Sequence, residues 1–281
     1  MSRILFIKKI PLKVFYRRRF ARILPAFWIY ISIVFSGGWL FLHKFHPGEL
    51  VATAFFLRTY FPDTPIFHSY IPIGHIWSLN VEEHCYIILS LFSLLAIRLG
   101  EIYARLALTA CAFVCIVFFV FYKYNQPAAQ SLFSLRTEVA AFPLLLSCSL
   151  FLWLTRYPIK IPSIVPLISF CAALGIALVS NSVFLSYLGI PVFLAISVNT
   201  LNSAPVWMKS ILSNFVLRWF GICSYSIYLW QQVFFFLGRY AKGWNYYGLL
   251  AVAGSLIVAS CSFYFFENPI RKMVSGRAEK A

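Results

Sequence analysis

The sequence predicts an all-α fold: a polytopic transmembrane helical bundle of about eight spans, with one further interfacial or re-entrant helix. Three observations lead there. Of 281 residues, 61% are hydrophobic and only 11% charged, more apolar surface than a water-soluble core needs. Apolar stretches follow one another with short polar breaks, several close to the ~20 residues that cross ~30 Å of hydrocarbon. The 24 Lys and Arg gather at the ends of those stretches, where lipid headgroups and membrane orientation use them.

In chain order, residues 1–22 read as a basic cytoplasmic segment, residues 23–270 as the transmembrane domain and residues 271–281 as a basic cytoplasmic tail. Hydropathy places spans at about 23–42, 76–98, 105–122, 139–155, 163–180, 183–199, 219–238 and 245–266,. The 139–155 and 183–199 stretches are short for a span, and Pro191 interrupts the second,. An apolar stretch at 50–61, broken by Arg58, reads as the interfacial or re-entrant helix.

If the loops alternate sides, 18 Lys and Arg fall on the N-terminal side, against Lys44, Arg58, Lys123, Arg136, Arg239 and Lys242 on the other. That bias places both termini in the cytoplasm. The formal charge of +16 therefore speaks for membrane lipids as partners, with no nucleic acid. The seven cysteines lie in apolar stretches without C-x-x-C spacing, which reads as buried free thiols. No cleavable leader, internal repeat or low-complexity tract is expected. The 43–75 segment carries His43, His46, His68 and His75, yet their spacing fits no compact ligand set, so no metal is expected and an exposed interfacial loop accounts for it.

Carboxylates are scarce, and Glu82, Glu83 and Glu267 sit in or at the end of apolar spans. An ionisable group at membrane depth is costly and marks a candidate site. Around the first two, helical spacing puts His75, Ser78, Glu82 and Tyr86 on one face,. An imidazole, a hydroxyl, a carboxylate and a phenol on one stripe suit proton transfer or the binding of sugar hydroxyls; interhelical hydrogen bonding is the competing reading. Trp77 and Glu83 adjoin this stripe.

Near the N-terminus, Arg18, Arg19 and Arg22 cluster on a helix ahead of the first apolar run. They suit either the phosphates of a nucleotide-type ligand or anionic headgroups. Later, Ser224, Tyr228 and Gln231 share a helix face that reads as a site wall or as an aromatic belt,. Glu267, at the end of the last span, is expected to pair with an arginine.

In this order the clusters resemble the acyltransferase 3 family of membrane proteins, which includes bacterial O-antigen and exopolysaccharide acetylases. Phe15 to Pro25 matches the family's F-Y-x-R-R-x-x-R-I-x-P, and His75 to Tyr86 matches H-x-W-S-L-x-V-E-E-Q-F-Y with His84 and Cys85 in place of Gln and Phe. Ser224 to Trp230 matches S-Y-S-x-Y-L-W-H, with Gln231 where His is usual, and Glu267, Pro269 and Arg271 match E-x-P-x-R. Arg136-Thr137-Glu138 is a weaker counterpart of the family's R-x-E/D, followed here by Pro143 in place of glycines.

The resemblance covers roughly residues 15–272. It implies transfer of an acyl group, often acetyl, from acyl-CoA as co-substrate to a hydroxyl of a cell-envelope glycan or lipid-linked sugar, with no bound cofactor, in the bacterial inner membrane. It casts Arg18, Arg19 and Arg22 as phosphate ligands, Glu82 and His75 as acid/base candidates, and Trp77, Ser78, Glu83, Tyr86, Ser224, Tyr228 and Gln231 as the substrate wall. The family normally begins with two further spans, the first bearing an R/K-x10-H motif whose His serves catalysis. The sequence starts downstream of both, as a fragment, a misplaced start or a shortened relative would. A transporter of an envelope intermediate and a noncatalytic remnant or partner subunit are the alternatives.

Overall fold

The computed structural model describes residues 3–61, 66, 69–126, 130–238 and 247–278; His68, Arg239, Lys242 and Lys280 lie outside the described residues. Among these every regular element is a helix, and there are no strands. After a short π-helical stretch at Arg3–Ile7 come α1 (Leu12–Leu42), α2 (Pro47–Ala54), a 3-10 turn at Gly74–Ile76 that runs into α3 (Trp77–Leu99), and α4 (Glu101–Asn125). The short α5 (Gln130–Phe133) and α6 (Thr137–Ala140) lead to α7 (Phe142–Arg156), α8 (Val165–Val179) and α9 (Val183–Asn199). Then follow α10 (Val206–Leu212), α11 (Phe215–Leu237), α12 (Tyr247–Ser262), a π-helical stretch at Phe263–Glu267 and α13 (Asn268–Ala278).

Six helical stretches are long and apolar enough to cross a membrane, and α8 and α9 are shorter apolar helices in two of the expected span positions. The short pair differs from the sequence expectation. The 139–155 stretch belongs to a helical run over Thr137–Arg156 of 20 residues, whereas α8 has 15, about 22 Å at 1.5 Å per residue. Prolines at the first turns of α7 and α8 occupy positions whose backbone N–H needs no intrahelical acceptor,. Gly100, at φ +110°, supplies the left-handed backbone that separates α3 from α4,.

The chain forms two compact units. One comprises residues 1–9 and 81–214, the other residues 10–80 and 215–281, so the boundary falls inside α3 between Asn80 and Val81. In the first unit α4 packs on α7, and α9 on α7 and α8. Phe119 stacks on Tyr187 at 3.9 Å, and the Tyr187 hydroxyl bonds the Cys115 and Val139 carbonyls.

The second unit is built on α1, which packs against α11 and α13, with α12 on α11. Its core joins Ala26, Phe27, Tyr30 and Ile31 of α1 to Ile71, Ile73 and Ile76, and to Leu229 and Trp230 of α11. Helix α1 begins at Leu12, so the boundary expected at 22/23 lies within a continuous helix and the arginines occupy its first three turns. Gly38 permits a close approach: a Cβ there would lie 2.6 Å from Ile71 Cγ2. The residues before α3 thereby press against α1, and Tyr30 donates its hydroxyl to the Pro72 carbonyl.

Candidate functional site

The segment expected as an exposed outer loop is in large part interior. Glu49, Thr53, Arg58, Thr59, Ile66, Ser69, Ile71 and Ile73 are all buried. Two buried charges explain this. Arg58 and Glu49 are both 0% exposed, and the guanidinium grips one carboxylate oxygen through Nε at 3.0 Å and Nη2 at 2.8 Å. Its Nη1 faces the Ile66 and Ile73 carbonyls at 3.5 and 3.4 Å. The Asn80 amide, in the orientation its neighbours dictate, donates to the Ile76 carbonyl and accepts from the Arg58 N–H. Arg58 was counted as a loop charge from sequence; it is an internal pin that fixes the entry to α3.

That entry carries His75. It sits in the 3-10 turn before the helix proper, and its ring packs edge-on to Tyr30 at 5.7 Å and tilted against Tyr228 at 4.8 Å. Tyr228 donates its hydroxyl to the His75 carbonyl at 2.5 Å, and Ser78 Oγ lies 3.0 Å from the same hydroxyl. Backbone and hydroxyls are thus closed on one another, whereas the ring nitrogens of His75 are buried without a well-formed hydrogen bond, the Leu229 backbone lying close enough to act on the ring. Trp230, whose ring contacts Tyr30 at 5.4 Å, likewise has a buried Nε1 donor with no acceptor.

On the same unit, Ser226 is fully buried and donates to Glu267 at 3.0 Å. Arg22 and Arg271 lie close enough to act on that carboxylate electrostatically, and Arg271 stacks over Phe263 at 5.6 Å. The face expected from sequence misses Ser226. Ser224, which it includes, is exposed and turns back to its own helix at the Gly221 carbonyl. Gln231 and Trp77 are half-buried.

Arg18 and Arg22 are exposed and Arg19 half-buried. Tyr30, which touches the His75 ring, follows Arg22 by eight residues of α1, about 12 Å along the axis. The sequence placed the arginines and His75 roughly a bilayer apart. The distance contracts because residues 69–76 run back into the bundle before α3 begins.

Glu82, Glu83 and Tyr86 lie in the other unit. Tyr86 donates to Glu82 one turn away, and Glu83 is buried. His84 Nδ1 lies 2.6 Å from Thr137 Oγ1, and Tyr122 donates to Glu138 at 3.1 Å. Arg136 stacks on Phe133 at 4.6 Å. The weaker Arg136-Thr137-Glu138 motif therefore meets α3 and α4 in a polar cluster. The expected stripe divides accordingly: His75 and Ser78 join Tyr228, while Glu82 and Tyr86 join each other.

The sequence model of the acyltransferase 3 family, described as an acyltransferase domain, matches residues 2–267. The peptidoglycan O-acetyltransferase OatA of Listeria monocytogenes is 29% identical across 94% of this chain and 47% of its own length. YrhL of Bacillus subtilis, provisionally named a peptidoglycan O-acetyltransferase, is 27% identical across 92% and 45%. A Staphylococcus aureus protein provisionally named an O-acetyltransferase is 26% identical across 94% and 48%. The chain spans about half the length of these relatives. No solved structure gives a significant match.

Proposed function

Because the chain belongs to the acyltransferase 3 family, we propose that it is an integral membrane O-acyltransferase moving an acyl group, acetyl in the first instance, from acyl-CoA to a hydroxyl of an envelope glycan of the peptidoglycan kind. Its setting is the bacterial inner membrane with both termini in the cytoplasm. The observation that carries this reading is the His75 imidazole, its ring nitrogens buried without a well-formed hydrogen bond and its ring against Tyr30, about 12 Å along α1 from Arg22.

In this reading Arg18, Arg19 and Arg22 hold the donor's phosphates through charge-assisted, fork-shaped contacts. The donor's thioester end extends along α1 to the level of Tyr30. His75 takes the proton of the acceptor hydroxyl as its oxygen attacks the thioester carbonyl. The Trp230 Nε1–H suits the oxygen that gains negative charge. When the intermediate collapses, the C–S bond breaks, the ester stays on the acceptor, and the imidazolium returns its proton to the leaving thiolate. Tyr228 is a positioning residue here, since it holds the His75 backbone. Ser78, Trp77 and Gln231, close in sequence to these groups, contact the acceptor in this reading, whereas Glu82 with Tyr86 and the buried Glu83 form a proton-handling group of their own unit.

The test is mass spectrometry of envelope glycan from cells with and without the chain, together with His75→Gln and the Arg19→Ala/Arg22→Ala pair. Both variants are expected to lose acylation at undiminished membrane abundance. Acylation surviving in His75→Gln rejects the imidazole as base; survival in the arginine pair rejects the phosphate role.

A further inference from the structure

The unit formed by residues 1–9 and 81–214 has a cavity of about 260 Å³ where the start of α4, the end of α7 and residues 6–9 converge. Lys9, Arg105, Arg156 and Glu101 line it. Three cations face one carboxylate, so the lining carries a surplus of two positive charges.

The arginine at its base is unusual. Arg105 lies one turn inside α4, and its side chain is 7% exposed. Its ion pair to Glu101 is long, 3.9 Å, and Glu101 is itself half-exposed and contacted by Lys9 at 3.4 Å. The Nε of Arg105 is buried and has no acceptor. Arg58 of the other unit shows how a structural buried arginine ends up, with Nε, Nη2 and Nη1 all aimed at oxygens. Arg105 is held ready without being used up. Trp153 lies under its guanidinium at 5.4 Å and is fixed by donating Nε1 to Thr109 at 3.1 Å, whose hydroxyl in turn meets Ser149 at 2.7 Å.

A planar fork with an open N–H, two flexible cations at the rim and a surplus charge of two match a phosphate group, which accepts several charge-assisted hydrogen bonds at once. We propose that this cavity binds a phosphate group, at a site separate from the α1 arginines. Phe6, Ile7, Leu152 and Thr155 complete the lining. The phosphate arrives on an anionic lipid headgroup or on a soluble phosphorylated compound, and the two sources are separable by experiment.

The full chain in neutral detergent is titrated with inorganic pyrophosphate and, in parallel, with phosphatidylglycerol against phosphatidylcholine, and bound adducts are read by native mass spectrometry. The expected result is an anionic adduct whose apparent affinity falls about tenfold in Arg105→Gln, the loss of one charge-assisted contact. The same direction is expected in Arg156→Gln, an exposed position that leaves the packing intact. The Arg19→Ala/Arg22→Ala pair retains the adduct. Preference for phosphatidylglycerol without pyrophosphate binding assigns a lipid headgroup; pyrophosphate binding assigns a soluble source. Absence of any anionic adduct overturns the site. So do equal adducts in the unsubstituted chain and Arg156→Gln, whatever the fate of Arg105→Gln.

Discussion

Replacing Glu49 by Gln tests whether the interior pin next to the site is what orders residues 55–76. Arg58 and Glu49 are fully buried and joined by two short contacts at 2.8 and 3.0 Å. Removing one partner of such a pair leaves the other charge uncompensated, a loss of about 3–5 kcal/mol. For a chain of this size each kcal/mol moves the unfolding midpoint by about 2–4 °C, so a drop on the order of 10 °C is expected in detergent. Arg58→Met should fall by a similar amount, because Glu49 is then stranded. The double variant Glu49→Leu/Arg58→Met should recover much of the loss, since an apolar pair of comparable volume no longer buries an unpaired charge. A midpoint for Glu49→Gln within about 2 °C of the unsubstituted chain, or losses that simply add in the double variant, would refute a desolvated pair.

Three other outcomes follow from the same geometry. Tyr228→Phe removes the hydroxyl shared by the His75 carbonyl and Ser78; a loss of about 1–3 kcal/mol predicts acyl transfer lowered about fivefold or more at unchanged donor KM, and an equal fall in protein abundance would mark a purely structural tyrosine. Gly38→Ala places a Cβ 2.6 Å from Ile71 Cγ2 and should cost about 1–3 kcal/mol of thermal stability, less than additive when combined with Ile71→Ala. For orientation, Phe61→Cys is exposed and should react with an impermeant thiol reagent in intact cells, whereas Pro158→Cys should react only after permeabilisation; the reverse pattern inverts the topology. Residue 66, in the same segment, is 4% exposed and would give a false negative.

The helices were legible because a membrane span is written in one dimension: twenty apolar residues in a row need no partner to be recognised. The motif residues were legible for a related reason, since a carboxylate or an arginine fork stands out against greasy sequence. The pin was not. Glu49 and Arg58 are separated by a helix end and a turn, and their two charges look like an ordinary polar break until the chain is seen to fold inward there. The two flank an apolar run, Leu50 to Leu57, and that is the available signal. Helical periodicity also misled at His75. It assumed one continuous helix from residue 75, whereas the 3-10 turn gives His75 a different heading. The Tyr30, His75 and Tyr228 rings meet across as many as 153 positions of sequence, and no local pattern encodes such a meeting.

Biosynthesis must contend with the way the sequence of one unit is interrupted by that of the other. The unit bearing His75 begins at Ile10, pauses at Asn80 and resumes only at Phe215. At translation rates of about 5–20 residues per second, the intervening stretch takes roughly 7–30 s to emerge. Through that interval the imidazole and its tyrosine neighbour on α1 wait in the lipid for a helix not yet made. A ribosome that stalls near residue 214 would release a chain with one unit finished and a half-assembled polar patch facing acyl tails. Only when Tyr228 arrives does the His75 carbonyl gain the hydroxyl that closes the patch.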